Sequence, residues 1–216
     1  MAAETLGRRD GAELAARLWA DAVLGTMGAR VRSRLHEELD PSRTYVFVSN
    51  HQSHVDVPVI IRHWPGPIRF VAKKSLSKIP LFGMTLRVLG HIYVDRGKSE
   101  ADRLRLAQQV EPVRNEVSVL FFAEGTRSRD GKLLPFKKGC LVLAEAAGVP
   151  IVPVAVSGTR QILGPDTTWV EPGSVGIVFG APMPQLSDPS RPRAERLAEL
   201  RAEIESLLME ADSLLI

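Results

Sequence analysis

The segment Asn50-His51-Gln52-Ser53-His54-Val55-Asp56 places an imidazole and a carboxylate five residues apart, just after the apolar run Tyr45-Val46-Phe47-Val48. A histidine titrates near neutral pH and can serve as a general base, provided that one ring nitrogen is held protonated. A carboxylate bonded to that nitrogen sets the tautomer and orients the ring. His51 and Asp56 meet the requirement if Asp56 stands on the opening turn of a helix and folds back. The spacing alone is a weak signal, because a capping Asn50 or Ser53 beside an incidental histidine would read the same way.

Three further stretches carry polar chemistry or shape. Phe122-Ala123-Glu124-Gly125-Thr126-Arg127-Ser128-Arg129 follows the apolar run Val117–Phe122. Gly125 lets a backbone approach a ligand, Thr126 and Ser128 offer hydroxyls, and Arg127 offers a fork suited to phosphate. Arg129, beside the turn pair Asp130-Gly131, reads equally as a solvated charge. Gly90-His91-Ile92-Tyr93-Val94-Asp95-Arg96-Gly97 is a strand whose exit presents Arg96. Lys73-Lys74 and Lys137-Lys138 could complete a phosphate cradle or face anionic headgroups, although a single surface lysine is usually solvated. Val149–Gly158, with prolines at 150 and 153, reads as a packed strand.

The elements that must position these residues alternate. Short strands are expected at 45–48, 68–71, 92–94, 117–122, 151–156 and 175–179, with helices near 54–63, 80–89, 98–114 and 138–147. The runs 117–122 and 151–156 are nearly continuous Val, Ile, Leu and Phe, as in strands buried on both faces. The pattern predicts an α/β fold, one domain with a mixed or mostly parallel sheet between helices. Residues 11–36 read as an N-terminal amphipathic helix carrying Leu14, Leu18, Leu24, Met27, Val31 and Leu35, with Arg17, Arg30, Arg32 and Arg34 between them. Its apolar stripe either packs on the domain or dips into a bilayer interface. A closing helix over 189–214 carries Leu197, Leu200, Ile204 and Leu207 on one stripe.

Composition narrows the classes. The 216 residues suit a single core with terminal additions: 1–43 as the helical segment, open to contact with a membrane surface, 44–182 as the core, and 183–216 as a helix packed on it. One cysteine, Cys140, excludes an internal disulfide and fits a reducing compartment. The start lacks a secretory apolar segment, and no run approaches the ~18 apolar residues of a membrane span. Any work on a membrane is therefore expected at its surface. The net charge of +3 hides an uneven distribution, since residues 62–98 hold eight Lys/Arg against the single acid Asp95. Such a patch attracts anions. It lacks the interleaved aromatics of a nucleic-acid surface, so no nucleic acid is expected as a partner. His51, His54 and Asp56 lack a further ligand at credible spacing, and no metal site is implied.

Taken in order, the four blocks NHQSHVD, GHIYVDR, FAEGTRS and VPIVPVAVSG, with the linking AKKSLSKIPLFG and PFKKG, closely resemble the 1-acylglycerol-3-phosphate acyltransferases, within the glycerolipid acyltransferases. The resemblance covers about residues 44–182. It implies an enzyme that moves a fatty acyl group from acyl-CoA or acyl-carrier protein to the free hydroxyl of a lysophosphatidic acid, giving phosphatidic acid. Acceptors of another class, a lyso-ornithine lipid or a lysophospholipid, stay open, as does a non-catalytic lipid-binding relative. By similarity His51 is the general base and Asp56 its partner, with direct transfer and no acyl-enzyme, so that Cys140 is a bystander. Lys73, Arg96, Glu124, Gly125, Thr126 and Arg127 are carried across as the acceptor-phosphate site. Glu124, itself anionic, is expected to orient Arg127 or a backbone amide, or to contact the glycerol hydroxyl. The sequence does not assign the oxyanion donor; a backbone N–H near the first block is a candidate. The resemblance gives His54 no role. It implies no cofactor beyond the acyl thioester co-substrate, a peripheral seat on the cytoplasmic face of the membrane through the 11–36 helix and basic surface, and an acyl-carrier protein as a candidate partner.

Overall fold

The computed structural model describes residues 2–73, 91–94, 113 and 117–215. Its strands are β1 (Ala29–Leu35), β2 (Val46–Ser49), β3 (Ile68–Lys73), β4 (Ile92–Val94), β5 (Ser118–Phe122), β6 (Ile151–Ser157) and β7 (Gly173–Phe179). The helices are α1 (Ala2–Thr26), α2 (Asp56–His63), α3 (Gly139–Ala147), α4 (Thr159–Ile162) and α5 (Arg193–Ser213), with a 3-10 turn at Pro184–Ser187. The strands form one sheet in the order β1-β7-β6-β2-β5-β3-β4. From β6 through β4 neighbours run parallel, and β1 pairs β7 parallel; β7 meets β6 antiparallel. This is the mixed α/β sheet that the alternation of elements predicts. The helices expected near 80–89 and 98–114 lie, apart from Val113, outside the described residues.

Strand alternation divides the core into two layers. Phe47, Val152, Val154, Val156, Val175, Ile177 and Phe179 face the side covered by α1 and α2, where Trp64, Val59 and Ile60 complete the packing. Val46, Val48, Val119, Phe121 and Ile151 face the other side, against Cys140, Leu141 and Leu143 of α3 and Leu200 and Ile204 of α5. β2 and β6 are buried at every position, which explains their unbroken apolar runs. Each such side chain contributes about 1.5–3 kcal/mol on burial, enough to hold both layers to the sheet.

The N-terminal helix is shorter at its C-terminal end than the apolar spacing predicts. α1 stops at Thr26, and residues 29–35 form the edge strand β1 instead. Gly28 turns the chain at φ 61°, a conformation open to glycine, and a Cβ there would lie 2.8 Å from that of Pro172. In β1, Ala29 and Val31 face inward while Arg30, Arg32 and Arg34 point out to solvent. A period of two governs here, and the 3.6-residue reading across 29–35 is corrected. The closing helix begins at Arg193, after Pro192, and its buried stripe is Arg196, Leu200, Ile204, Leu207 and Ala211. Arg196 thus occupies a core position that composition would give to Leu197. It donates to the carbonyls of Arg191 and Leu186 and pairs with Glu145 at 2.8 Å. α5 lies so close to the sheet that a Cβ on Gly176 would come 2.0 Å from the Ala211 carbonyl oxygen.

Candidate active site

β2, β5 and β6 lie side by side and parallel, so their C-terminal ends deliver three loops to one place, where ligands gather in such sheets. The loop after β2 carries His51. Asn50, fully buried, holds that loop to β6 by donating to the Val156 carbonyl at 2.8 Å and accepting the Val156 N–H at 2.9 Å. Asp56 opens α2 and is fully buried. Its Oδ2 accepts the backbone N–H groups of Gln52 and Ser53 at 2.8 and 2.9 Å and lies 2.8 Å from His51 Nδ1. Its Oδ1 lies 2.5 Å from the hydroxyl of Thr159, which follows β6. With Nδ1–H donating to the carboxylate, Nε2 keeps a free lone pair. The ring stacks on Phe122 at 3.8 Å between centroids, 18° from parallel, which fixes its plane.

The loop after β5 closes on the same histidine. Glu124, 2% exposed, accepts His51 N–H on one oxygen at 2.8 Å and Leu134 N–H on the other at 2.9 Å. Burial pushes its pKa above the usual carboxylate range, against the pull of these two bonds. Of the roles expected for Glu124, orienting a backbone amide is the one the geometry displays. Ser128 N–H donates to the His51 carbonyl at 2.8 Å, so the two loops are laced together. Gly125 sits at φ 67°, and a Cβ there would fall 2.8 Å from Lys137 Nζ, so a lysine ammonium lies over the glycine. Thr126 is exposed and Arg127 half-buried beside it. Arg129 is exposed, 3.4 Å from Asp166.

The sequence-predicted residues thus divide. His51, Asp56, Glu124, Gly125, Thr126 and Arg127 belong to one loop cluster; Lys73 ends β3, two strands from β2; Arg96 lies outside the described residues. His54 is exposed, and partial burial, then the Arg127 and His51 charges, hold its imidazole below the usual value. Among the amides of 51–56, those of His51, Gln52, Ser53, Val55 and Asp56 are committed to hydrogen bonds. That leaves the His54 N–H as the donor in this block without a partner among the described residues. Cys140 is buried and its thiol is pushed up to about 12, so it carries no thiolate. Among the described residues no group of three His, Cys, Asp or Glu side chains could hold a metal ion. Thr159 and Phe122 escaped sequence reading. Phe122 reads as a strand end, and only the register that sets Phe122 against Ser49 brings it under His51.

The chain matches the Acyltransferase family over residues 30–157. It is 35% identical over 159 residues to a 1-acyl-sn-glycerol-3-phosphate acyltransferase of Chlamydomonas reinhardtii, covering 70% of this chain and 47% of that protein. To the 1-acyl-sn-glycerol-3-phosphate acyltransferase of Escherichia coli K12 it is 31% identical over 182 residues, covering 84% of this chain and 72% of the relative. The crystal structure of the 1-acyl-sn-glycerophosphate (LPA) acyltransferase PlsC from Thermotoga maritima aligns with a TM-score of 0.77 at 27% identity, over 92% of this chain and 78% of that one. The chain spans about half the length of the first curated relatives it matches. The family match takes in more than half of the chain and contains both the His51 loop and the Glu124 loop, and the chain belongs to the Acyltransferase family.

Proposed function

We propose that this chain acylates the free hydroxyl of a 1-acyl-sn-glycerol 3-phosphate, using an acyl thioester of CoA or acyl-carrier protein as donor and releasing phosphatidic acid and the free thiol. His51 Nε2 takes the hydroxyl proton, and the oxygen attacks the thioester carbonyl carbon. The resulting tetrahedral centre collapses with cleavage of the C–S bond, and the proton held on His51 passes to the departing thiolate. Asp56 holds the imidazole in the tautomer that leaves Nε2 open and stabilises the imidazolium between the two proton transfers. Gly125, Thr126 and Arg127, with Lys73 and Arg96, receive the acceptor phosphate; the positive φ of Gly125 and the ammonium of Lys137 above it suit an anion. The His54 N–H, without a partner among the described residues, is the donor assigned to the developing oxyanion. The observation that carries the reading is the 2.8 Å contact between His51 Nδ1 and the buried Asp56 carboxylate, beside the Glu-Gly-Thr-Arg loop. A non-catalytic lipid binder has no use for such a dyad.

Attachment to the membrane is peripheral, at the cytoplasmic face, whose anionic lipids attract exposed arginines. Leu14, Leu18 and Trp19 of α1 are 58%, 60% and 45% exposed, while Ala20 and Leu24 of the same helix pack into the core. Packing and interface contact are therefore assigned to different faces of one helix. Among the described residues no helix is long and apolar enough to cross a membrane. The test of activity is thiol release by purified protein, with lysophosphatidic acid compared against other lyso-lipids and with CoA and carrier-protein donors compared side by side. Release that requires lysophosphatidic acid is the expected result; no acceptor-dependent release with any pair removes the reading.

A further inference from the structure

Asp56 holds its two oxygens in unequal company. Oδ2 collects three donors, the His51 ring N–H and the amides of Gln52 and Ser53, all from the loop that precedes it in sequence. Oδ1 has one partner among the described residues, the Thr159 hydroxyl at 2.5 Å, and that partner arrives from 103 residues away. Both side chains are fully buried, so water does not substitute for a lost donor. An ionised carboxylate only accepts, so the hydroxyl donates.

The backbone is shaped to aim that hydroxyl. Gly158, between β6 and Thr159, sits at φ 89°, and a Cβ there would lie 2.2 Å from the Ser174 carbonyl oxygen. No other residue fits so tight an exit from the strand. The same segment is tied to the His51 loop a second time, because Ser53 Oγ donates to the Leu163 carbonyl at 2.7 Å. Thr159 is β-branched, so its χ1 is restricted and its methyl packs while the hydroxyl points at Asp56.

We infer that Thr159 is a positioning residue for the His51–Asp56 pair: it fixes the carboxylate from the side opposite the histidine, so that Oδ2 faces His51 Nδ1. The inference rests on the proposed general-base reading. The reading on its own asks only for a histidine and a carboxylate; the further assignment is a third group at the start of α4, directly after β6. Without the Thr159 donor, Oδ1 loses its one partner among the described residues and the carboxylate is free to turn away from His51 Nδ1.

The test compares wild type with Thr159→Ser, Thr159→Val and Thr159→Ala in the thiol-release assay across pH, with thermal melts as a check on folding. Thr159→Ser keeps the donor and is expected to stay within about threefold of wild type. Thr159→Val, close in shape but without a donor, is expected to lose about 10- to 100-fold in kcat with KM little changed. Its kcat profile against pH is expected to differ from that of wild type. The low-field proton resonance of His51 Nδ1–H, read without substrate, is expected to shift in Thr159→Val and to hold in Thr159→Ser. Folded Thr159→Val or Thr159→Ala with wild-type kcat, pH profile and proton resonance overturns the assignment. Failure of both to fold overturns it too, since Thr159 is then a packing residue. If wild type releases no thiol, or His51→Ala releases it at the full rate, the acyl-transfer reading fails instead, and the proton resonance still decides the role of Thr159.

Discussion

His51 and His54 stand three residues apart in one loop and differ in everything that matters to a base. The ring of His51 is clamped between Phe122 and Asp56, whereas His54 is exposed and its pKa is lowered by partial burial and by Arg127. Removing His51 is expected to abolish acceptor-dependent thiol release, a loss of at least about a thousandfold. His54→Ala keeps the backbone N–H and should retain most of the activity. Comparable losses in both variants, with equal melting temperatures, would overturn this assignment of roles. A third histidine supplies a pH prediction. His91 is buried against Phe70, and its Nδ1 accepts Phe70 N–H at 3.1 Å, so it is neutral with the proton on Nε2. Burial, then the Arg69 charge, lowers its pKa to about 3. The unfolded chain takes up a proton near pH 6.5 that the folded chain refuses until about pH 3. Stability is thus complete above pH 6.5 and falls as pH drops towards 3, by up to about 1.4 kcal/mol per pH unit from this group. His91→Gln keeps a carbonyl for Phe70 and does not titrate, so denaturant melts between pH 4 and 7 should show a flatter decline; an unchanged slope refutes the assignment.

At the scale of elements, α3 and α5 are joined by charge as well as by apolar packing. Glu145 meets Arg193 through two hydrogen bonds and Arg196 at 2.8 Å, with Arg196 only 1% exposed. Burial alone would raise the Glu145 pKa, but the two arginines outweigh it and hold the carboxyl low. Glu145→Ala leaves a buried guanidinium without its counter-ion and should cost about 3–5 kcal/mol. Arg34→Ala, which removes an exposed partner of Glu210, should change stability by less than about 1 kcal/mol. Urea titration of both variants checks the contrast, and equal small losses would mean that the buried pair does not bind α5 to α3. This cluster also marks where sequence reading stops. The alternation of apolar runs placed β2 to β7 and the closing helix, because those strands are defined by burial on one or both faces. It misplaced β1, whose arginines at 30, 32 and 34 alternate as an edge strand does, because Met27, Val31 and Leu35 also fit a helical stripe. It gave Arg196 no core role, since a buried arginine is legible only once Glu145 is seen opposite. His51 and Asp56 were readable because the dyad is local and a family pattern carries it; Thr159 was not, because its bond to Asp56 exists only when β6 and β2 lie side by side.

At the scale of the molecule, α1 exposes apolar side chains while the loops after β2 and β5 carry the candidate site, and the proposed acceptor calls for both. The proposed acceptor, a lysophosphatidic acid, partitions into membranes, so an enzyme acting on it must reach a phosphate at the headgroup level while the acceptor's single acyl chain stays in lipid. α1 supplies Leu14, Leu18 and Trp19 to solvent, and the edge strand that follows it supplies Arg30 and Arg32, both exposed. Tryptophan favours the membrane–water interface, and each arginine near an anionic surface adds about 1 kcal/mol. The apolar part of that attraction is independent of ionic strength, while the charged part is screened within about 10 Å at 0.1 M salt. Co-sedimentation should therefore show binding that rises with the anionic lipid fraction and weakens, without vanishing, between 0.05 and 0.5 M salt (roughly a threefold change in Debye length). Leu18→Glu with Trp19→Glu should remove the salt-resistant remainder, and Arg30→Glu with Arg32→Glu the anionic preference, while thiol release from a soluble short-chain acceptor stays near wild type in both. Binding indifferent to all four substitutions would place the contact surface elsewhere on the molecule. Loss of activity on the soluble acceptor would instead mean that α1 and β1 help to shape the site itself, as their contact with α2 and β7 allows.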